Sequence, residues 1–116
     1  ITEGVTSIKV ECNCVCILPS NSPLVTNTSI TPNDLAGHAI ISCEKDHTQR
    51  QVDKVFQQAK IKRNEVAEVS LAIAIASLVS EGVGAAIVDP FSAKYSSANS
   101  AGILIKEFIV GFYFIN

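Results

Sequence analysis

Hydrophobic positions recur along this chain with two different periods. Short apolar runs, typical of buried strands, occupy 11–18, 39–42, 65–69 and 85–88. Two longer runs have helical spacing: about 48–59, where the apolar residues form one stripe, and 70–79, where they cover nearly every side. The alternation of strands and helices predicts an α/β fold in three layers, with a mostly parallel sheet and flanking helices.

The segment 70–92 is the most informative part of the chain. Ser70 stands where a side chain can cap the apolar helix, and Gly82 can take the left-handed conformation just past its end. Pro90 favours an extended Asp89 and cannot continue a strand, so Phe91 should emerge at the carboxyl end of the strand. Ligands of open α/β sheets bind at this edge.

The remaining segments are less regular. Residues 19–30 form a polar, turn-rich connection, and 31–37 suit one short helical turn that ends at Gly37. Residues 92–102 are small and polar without a period, which predicts a loop. The bulky residues of 103–115 predict one or two further strands, interrupted at Gly111.

Four segments, in this order, resemble the effector-binding region of LysR-type transcriptional regulators. They are 14–19 with 22–24, then 35–42, then the helix at about 48–59, and finally 82–91. The resemblance covers about residues 8–115. It implies one half of a type II periplasmic-binding-protein-like fold, namely the second of the family's two subdomains.

The resemblance also implies how this chain is organised and what it does. Residues 1–116 are expected to form a single effector-binding subdomain of a larger regulator, with hinge-type strands near 11–18 and 103–115. A small metabolite would bind in the cleft shared with a first subdomain and shift the arrangement of the two halves. The family further implies a homo-oligomer in the cytoplasm that contacts DNA through a domain missing from this chain.

The predicted strand ends give candidate effector-binding residues. If the sheet is parallel, one edge collects the hydroxyls, thiol, carboxylate and aromatic ring of Ser42, Cys43, Ser70, Asp89, Pro90 and Phe91. A carboxylate near Ser70 would gain from backbone N–H groups and from the helix dipole. The residues therefore favour a small anionic or zwitterionic ligand. The turn at 88–91 is similar to that of family members that respond to amino acids or opines, and this resemblance implies a ligand that is amino-acid-like or another carboxylate.

Charge and hydropathy narrow the set of partners. Nine basic and eleven acidic residues give a net charge of −2, which provides no extended positive field, so this segment alone should not bind DNA. The chain is 47% hydrophobic with a mean hydropathy of +0.32, which indicates that some apolar surface faces a partner. The apolar run at 69–79 is shorter than the roughly 20 residues of a membrane-spanning helix, so no membrane contact is expected.

The spacing of the cysteines does not favour a metal site. Cys12, Cys14 and Cys16 alternate along one strand, where same-face neighbours lie about 7 Å apart, too far to surround one zinc ion. Buried, reduced thiols without metal or cofactor are the expectation, with Cys43 similarly placed.

Two other classes of protein stay open. The chain offers only His38 and His47 as imidazoles and lacks the common catalytic motifs, so an enzyme is not expected. A small cysteine-dependent enzyme would need an exposed thiol with a lowered pKa beside an imidazole. A fragment of a solute-binding protein would share the cleft and the α/β alternation.

Overall fold

The computed structural model describes residues 6–9, 14–43, 47–109 and 112–115. It contains eight strands and three α-helices in these parts of the chain. The strands are β1 (Thr6–Lys9), β2 (Val15–Pro19), β3 (Ser29–Ile30), β4 (Ala39–Cys43), β5 (Asn64–Val69), β6 (Ala86–Val88), β7 (Ile103–Phe108) and β8 (Phe112–Ile115). The helices are α1 (His47–Ala59), α2 (Ala72–Ser80) and α3 (Pro90–Asn99), and short 3-10 turns occupy Pro23–Thr26 and Asn33–Leu35.

The central sheet has the strand order β3-β7-β2-β6-β4-β5. Two hydrogen-bonded groups, β3-β7-β2-β6 and β4-β5, are joined by a parallel bridge between Ile40 and Ala85. At this bridge the Ile41 N–H donates to the Ala85 carbonyl (2.8 Å) and the Ala85 N–H donates to the Ala39 carbonyl (2.9 Å). The two groups therefore form one continuous surface.

Strand directions are mixed rather than mostly parallel. β4 runs parallel to β5, and its bridge to Ala85, the residue directly before β6, is also parallel. β3 runs parallel to β7. β2 runs antiparallel to both β6 and β7. The α/β class is confirmed, but apolar patterning does not reveal the direction of a strand, and β2 and β7 are not linked to their neighbours by the helical crossovers that impose a parallel direction.

Helices cover both faces of the sheet, which gives the three predicted layers. On one face, Val52, Val55 and Phe56 of α1 pack on Ile40 and Ile87. The other face holds a second core cluster built by α2, α3 and the sheet: Ile17, Ile41, Ile75, Ala76, Val79, Ala86, Val88, Ala93 and Ile103. The side chains alternate along each strand, so every central strand contributes to both clusters.

Arg63 ties α1 to β5 at the edge of the first cluster. Its guanidinium forms ion pairs with Asp53 and, at 3.3 Å, with Glu65. It also lies over the ring of Phe56, 5.2 Å from the centroid. The same ring stacks on Phe108 of β7 with centroids 6.3 Å apart, so one aromatic side chain connects a helix, a strand and a cation.

The prediction of a loop at 92–102 is wrong for most of that segment, because α3 occupies Pro90–Asn99. Asp89 caps this helix and Pro90 takes its first position, which is a standard helix start. Only Ala93 and Ser96 are buried, so the helix leaves almost no hydrophobic period in the sequence. The many serines, weak helix formers, hid it further.

α2 is less buried than its composition suggested. Leu71, at the cap position, is 64% exposed and Ile73 is 57% exposed, whereas Ile75 and Val79 are in the core. Ser70 lies one residue before the cap and does not cap the helix, and no side chain does. Gly82 does take the left-handed conformation after the helix, with φ +83°.

β1 and β8 form a separate antiparallel pair, from Thr6 opposite Ile115 to Lys9 opposite Phe112. β2 and β7, in contrast, belong to the central sheet. The hinge-type role near 11–18 and 103–115 stays a prediction, and part of it lies outside the described residues. No helix in the described portion is long and apolar enough to cross a membrane.

Candidate functional site

A cavity of about 220 Å³ opens where three neighbouring parallel segments end. Its described lining consists of Cys43, Thr48, Gln49, Ser70, Ile75, Val88, Asp89 and Ser92. Cys43 ends β4, Ser70 follows β5, and Asp89 follows β6. β5, β4 and the segment from Ala85 into β6 run in the same direction. Their carboxyl ends therefore meet at one edge of the sheet.

The amino-terminal ends of three helices also reach this cavity. Thr48 and Gln49 belong to the first turn of α1, Ser70 leads into α2, and Asp89 and Ser92 bracket the start of α3. The first N–H groups of a helix lack intrahelical acceptors and carry the positive end of the dipole. The arrangement therefore offers several donors to a small polar ligand.

Asp89 is fixed by the first turn of α3. Its Oδ1 accepts a hydrogen bond from the Ser92 N–H (2.8 Å), and its Oδ2 accepts one from the Ser92 hydroxyl (2.7 Å). Partial burial raises the pKa of Asp89, but hydrogen bonds from the Ser92 side chain and from the Ser92 and Phe91 backbone outweigh that effect and lower the pKa below its usual value. The cavity therefore holds a carboxylate at neutral pH.

Gln49 is a polar side chain buried in the lining of the cavity. Its Nε2 donates to the Ile87 carbonyl at 3.1 Å, which joins α1 to β6. Gln49 and its neighbour Thr48 were not among the predicted site residues. The available signal was the position of Gln49 three residues before Val52 and seven before Phe56, which places a polar residue on the apolar stripe of α1.

The six predicted residues divide into two groups. Cys43, Ser70 and Asp89 meet in the cavity. Ser42, Pro90 and Phe91 are absent from its described lining. Ser42 is 6% exposed on the α1 side of the sheet, and its Oγ has no hydrogen-bond partner among the described residues. Pro90 and Phe91 open α3 on the surface, where Phe91 is 87% exposed, because the helix turns their side chains outward.

A second cavity of similar volume, about 220 Å³, lies near the opposite ends of β4 and β6. It is lined by Pro19, Asn21, Ser22, Pro23, Leu24, His38, Ala39, Gly82, Val83, Gly84 and Ala85. The described lining of this second cavity contains no Asp, Glu, Lys or Arg side chain. It lies away from the helix amino termini that surround the first cavity.

The described cysteines differ from the expectation of uniformly reduced thiols. Cys14 is buried in the core and disulfide-bonded. Cys16 is fully buried, and burial raises the pKa of its thiol to about 12, which is the opposite of what a nucleophilic cysteine needs. Cys12 and the side chain of His47 lie outside the described residues. Within those residues, no cluster of three potential metal ligands occurs.

The three-layer fold with a cavity at the carboxyl ends of the strands has the architecture of a periplasmic-binding-protein-like domain. Residues 10–104 match the family described as the LysR substrate binding domain, so the chain belongs to that family. The family resemblance read from the sequence is confirmed.

Named relatives agree with this assignment. The chain is 31% identical over 97 residues to the transcriptional activator protein LysR of Escherichia coli (strain K12), covering 83% of this chain and 30% of that protein. It is 36% identical over 99 residues to the regulatory protein NocR of Agrobacterium tumefaciens (strain T37), covering 84% of this chain and 32% of that protein. The chain thus spans about a third of these relatives.

Solved structures share the fold. The regulatory domain of CcmR from Synechocystis PCC6803, in complex with 2-PG, superposes with a TM-score of 0.73 at 20% identity, covering 97% of this chain and 57% of that one. At this identity the likeness establishes the α/β fold of periplasmic-binding-protein type.

Proposed function

We propose that this chain is the second effector-binding subdomain of a LysR-type transcriptional regulator. It binds a small metabolite, amino-acid-like or another carboxylate, in the cavity lined by Cys43, Ser70 and Asp89. The observation that carries the proposal is the convergence of three strand ends and three helix amino termini on that cavity in a chain of this family.

The surroundings of the cavity support a cleft that closes against a second body. Leu71 follows Ser70 and is 64% exposed, and Phe91 lies two residues after Asp89 and is 87% exposed. Large apolar side chains beside a polar cavity lose water-exposed surface when another subdomain covers them. The first subdomain, outside this chain, is the partner proposed here, and β1 with β8 would supply the connection to it.

The same proposal covers the whole protein. Ligand binding shifts the arrangement of the two subdomains within a cytoplasmic homo-oligomer, which contacts DNA through a separate domain. We propose no catalytic role, since binding and population shift account for the site without a reaction. The reading frame upstream of Ile1 provides a first test, because it should encode a DNA-binding domain and a first subdomain.

The ligand test uses the full-length regulator in a thermal-shift screen against L-amino acids and small mono- and dicarboxylates. A ligand at 100 times its dissociation constant stabilises the folded state by about 2.7 kcal/mol, which is readily measured. Ser70→Trp should obstruct the cavity and weaken binding of any ligand found by at least tenfold. Ser97→Trp, the same change at an exposed serine of α3 outside the cavity, should leave binding unchanged.

Two results would contradict the proposal. One is a screen in which no probe raises the melting temperature. The other is a ligand whose affinity is equal in the wild type and in Ser70→Trp, because that ligand would bind elsewhere.

A further inference from the structure

The charge of the cavity is the property that distinguishes classes of ligand. Among its described lining residues, Asp89 is the only side chain with a formal charge. The others are hydroxyls, an amide, a thiol and aliphatic groups. The described part of the cavity therefore carries one negative charge with no positive side chain to neutralise it.

Asp89 keeps the capacity to bind a donor. Each carboxylate oxygen accepts one hydrogen bond from Ser92, and the Phe91 N–H adds a further interaction. An ionised carboxylate offers about four lone-pair sites in total, so a site for a ligand donor remains. The Ser92 bonds also hold the carboxylate in place, so a ligand need not immobilise it. A protonated nitrogen is the strongest partner for such a group.

The helix ends around the cavity are not equivalent. The amino terminus of α3 is already capped by the Asp89 carboxylate. The amino terminus of α2 has no side-chain cap. A negative group of the ligand is therefore favoured near Ser70 and α2 and repelled near Asp89, which separates the cavity into a pole for an anion and a pole for a cation.

We infer that the ligand of this cavity is a zwitterion, whose carboxylate lies at the α2 end and whose protonated nitrogen binds Asp89. The inference rests on the proposed function and selects one of the ligand classes that it leaves open. Asp89 then discriminates an amino acid from a carboxylic acid of the same shape without the nitrogen.

The test is calorimetric titration of the full-length regulator with matched probes. The probes are the L-amino acids, their α-hydroxy acid counterparts and their N-acetyl derivatives, which keep the carboxylate but remove the positive charge. At least one amino acid should bind tenfold or more tightly than both of its counterparts. Asp89→Asn should weaken the binding of that amino acid by at least tenfold. It should also reduce the ratio between the affinities for the amino acid and for the α-hydroxy acid.

The control variants separate charge from folding. Asparagine caps helices as well as aspartate, so Asp89→Asn should keep α3 intact. Glu81→Gln is the same acid-to-amide change at an exposed position outside the cavity, and it should leave every affinity unchanged.

The outcomes distinguish the inference from the proposed function. If α-hydroxy or N-acetyl acids bind as tightly as amino acids and Asp89→Asn has no effect, the zwitterion inference is overturned while the proposed function stands. If none of the three series binds and the wider carboxylate screen is also negative, both are overturned.

Discussion

The carboxylate of Asp89 fixes the first turn of α3 and also faces the cavity. Its position follows from the chain direction, since β6 ends at Val88 and Pro90 begins the helix. The hydrogen bonds to Ser92 stabilise the ionised form in the folded state. One side chain therefore couples the stability of α3 to the charge of the site.

This coupling predicts how Asp89→Ala depends on pH. At pH 7 the variant should lose about 1 kcal/mol of unfolding free energy, a typical value for a helix cap. The folded-state pKa of Asp89 lies below its unfolded value of about 3.9. The stabilisation from ionised Asp89 is therefore present above that value and lost as the pH falls through the lower, folded-state pKa.

Urea denaturation of both proteins at pH 7 and near pH 3 measures this effect. The difference between wild type and Asp89→Ala should shrink at the lower pH. Asp89→Asn, a neutral cap, serves as the control, because the stability its cap contributes does not change with pH. A wild-type advantage over Asp89→Ala that stays constant with pH would argue against an ionised cap.

At the residue scale, the sequence allowed those cavity-lining residues that follow strands to be predicted. Cys43, Ser70 and Asp89 were predictable because parallel strands deliver their ends to one edge. Gln49 was not recognised, since a polar residue on an apolar helical stripe can equally point to solvent at a helix end. Phe91 lies outside the described lining of the cavity because Pro90 starts a helix rather than a turn, and its role in effector binding stays a prediction.

At the scale of elements, periodicity was informative where one face is buried and uninformative where almost none is. α1 agrees with its predicted range to within one residue because its apolar stripe packs on the sheet. α3 buries only Ala93 and Ser96 and was missed. The direction of β2 was also unpredictable, since pairing direction depends on connections between distant parts of the chain.

The junction between α2 and β6 depends on Gly84. A Cβ atom at this position would lie 2.7 Å from the carbonyl oxygen of Ala39, which accepts the Ala85 N–H at the bridge between β4 and β6. The contact is with backbone, so it cannot be relieved by a side-chain rotation. Gly84 thus permits the close approach that makes the two strand groups one sheet.

Gly84→Ala should therefore destabilise the chain by about 1–3 kcal/mol through overpacking. Gly37→Ala is the comparison, because a Cβ there meets nothing within 4 Å but Gly37 has φ +81°. That variant should lose about 1 kcal/mol from backbone strain alone. Chemical denaturation ranks the two, and a larger loss at Gly37 would contradict the importance of the contact with Ala39.

At the scale of the molecule, the two core clusters share the central strands of the sheet. The first cluster packs the apolar face of α1, the helix that carries Gln49. The second cluster includes Ile75 and Val88, which also line the cavity. The class of fold was predictable, because alternating strands and helices have few compact arrangements. The cavity itself required the structure, since it depends on how the helix ends are spaced around the strand ends.

Two phenylalanines give opposite predictions for the whole chain. Phe56 is 2% exposed, stacks on Phe108 and lies under Arg63, whereas Phe91 is 87% exposed. Phe56→Ala should lower the unfolding free energy by about 3–5 kcal/mol, because it removes buried surface and leaves a cavity. Phe91→Ala should change it by less than about 0.5 kcal/mol.

Since a loss of 3–5 kcal/mol can unfold a small domain, Phe56→Leu provides a milder variant, with an expected loss of about 1 kcal/mol. Chemical denaturation of the 116-residue chain measures the unfolding free energy of all three variants, Phe56→Ala, Phe56→Leu and Phe91→Ala.

In the full-length regulator, Phe91→Ala should instead reduce ligand affinity while leaving the stability of this subdomain unchanged. The reason is that the exposed ring, two residues after Asp89, is proposed to contact the first subdomain when the cleft closes. A destabilisation by Phe91→Ala equal to that of Phe56→Ala would mean that Phe91 belongs to the core and not to the rim of the site.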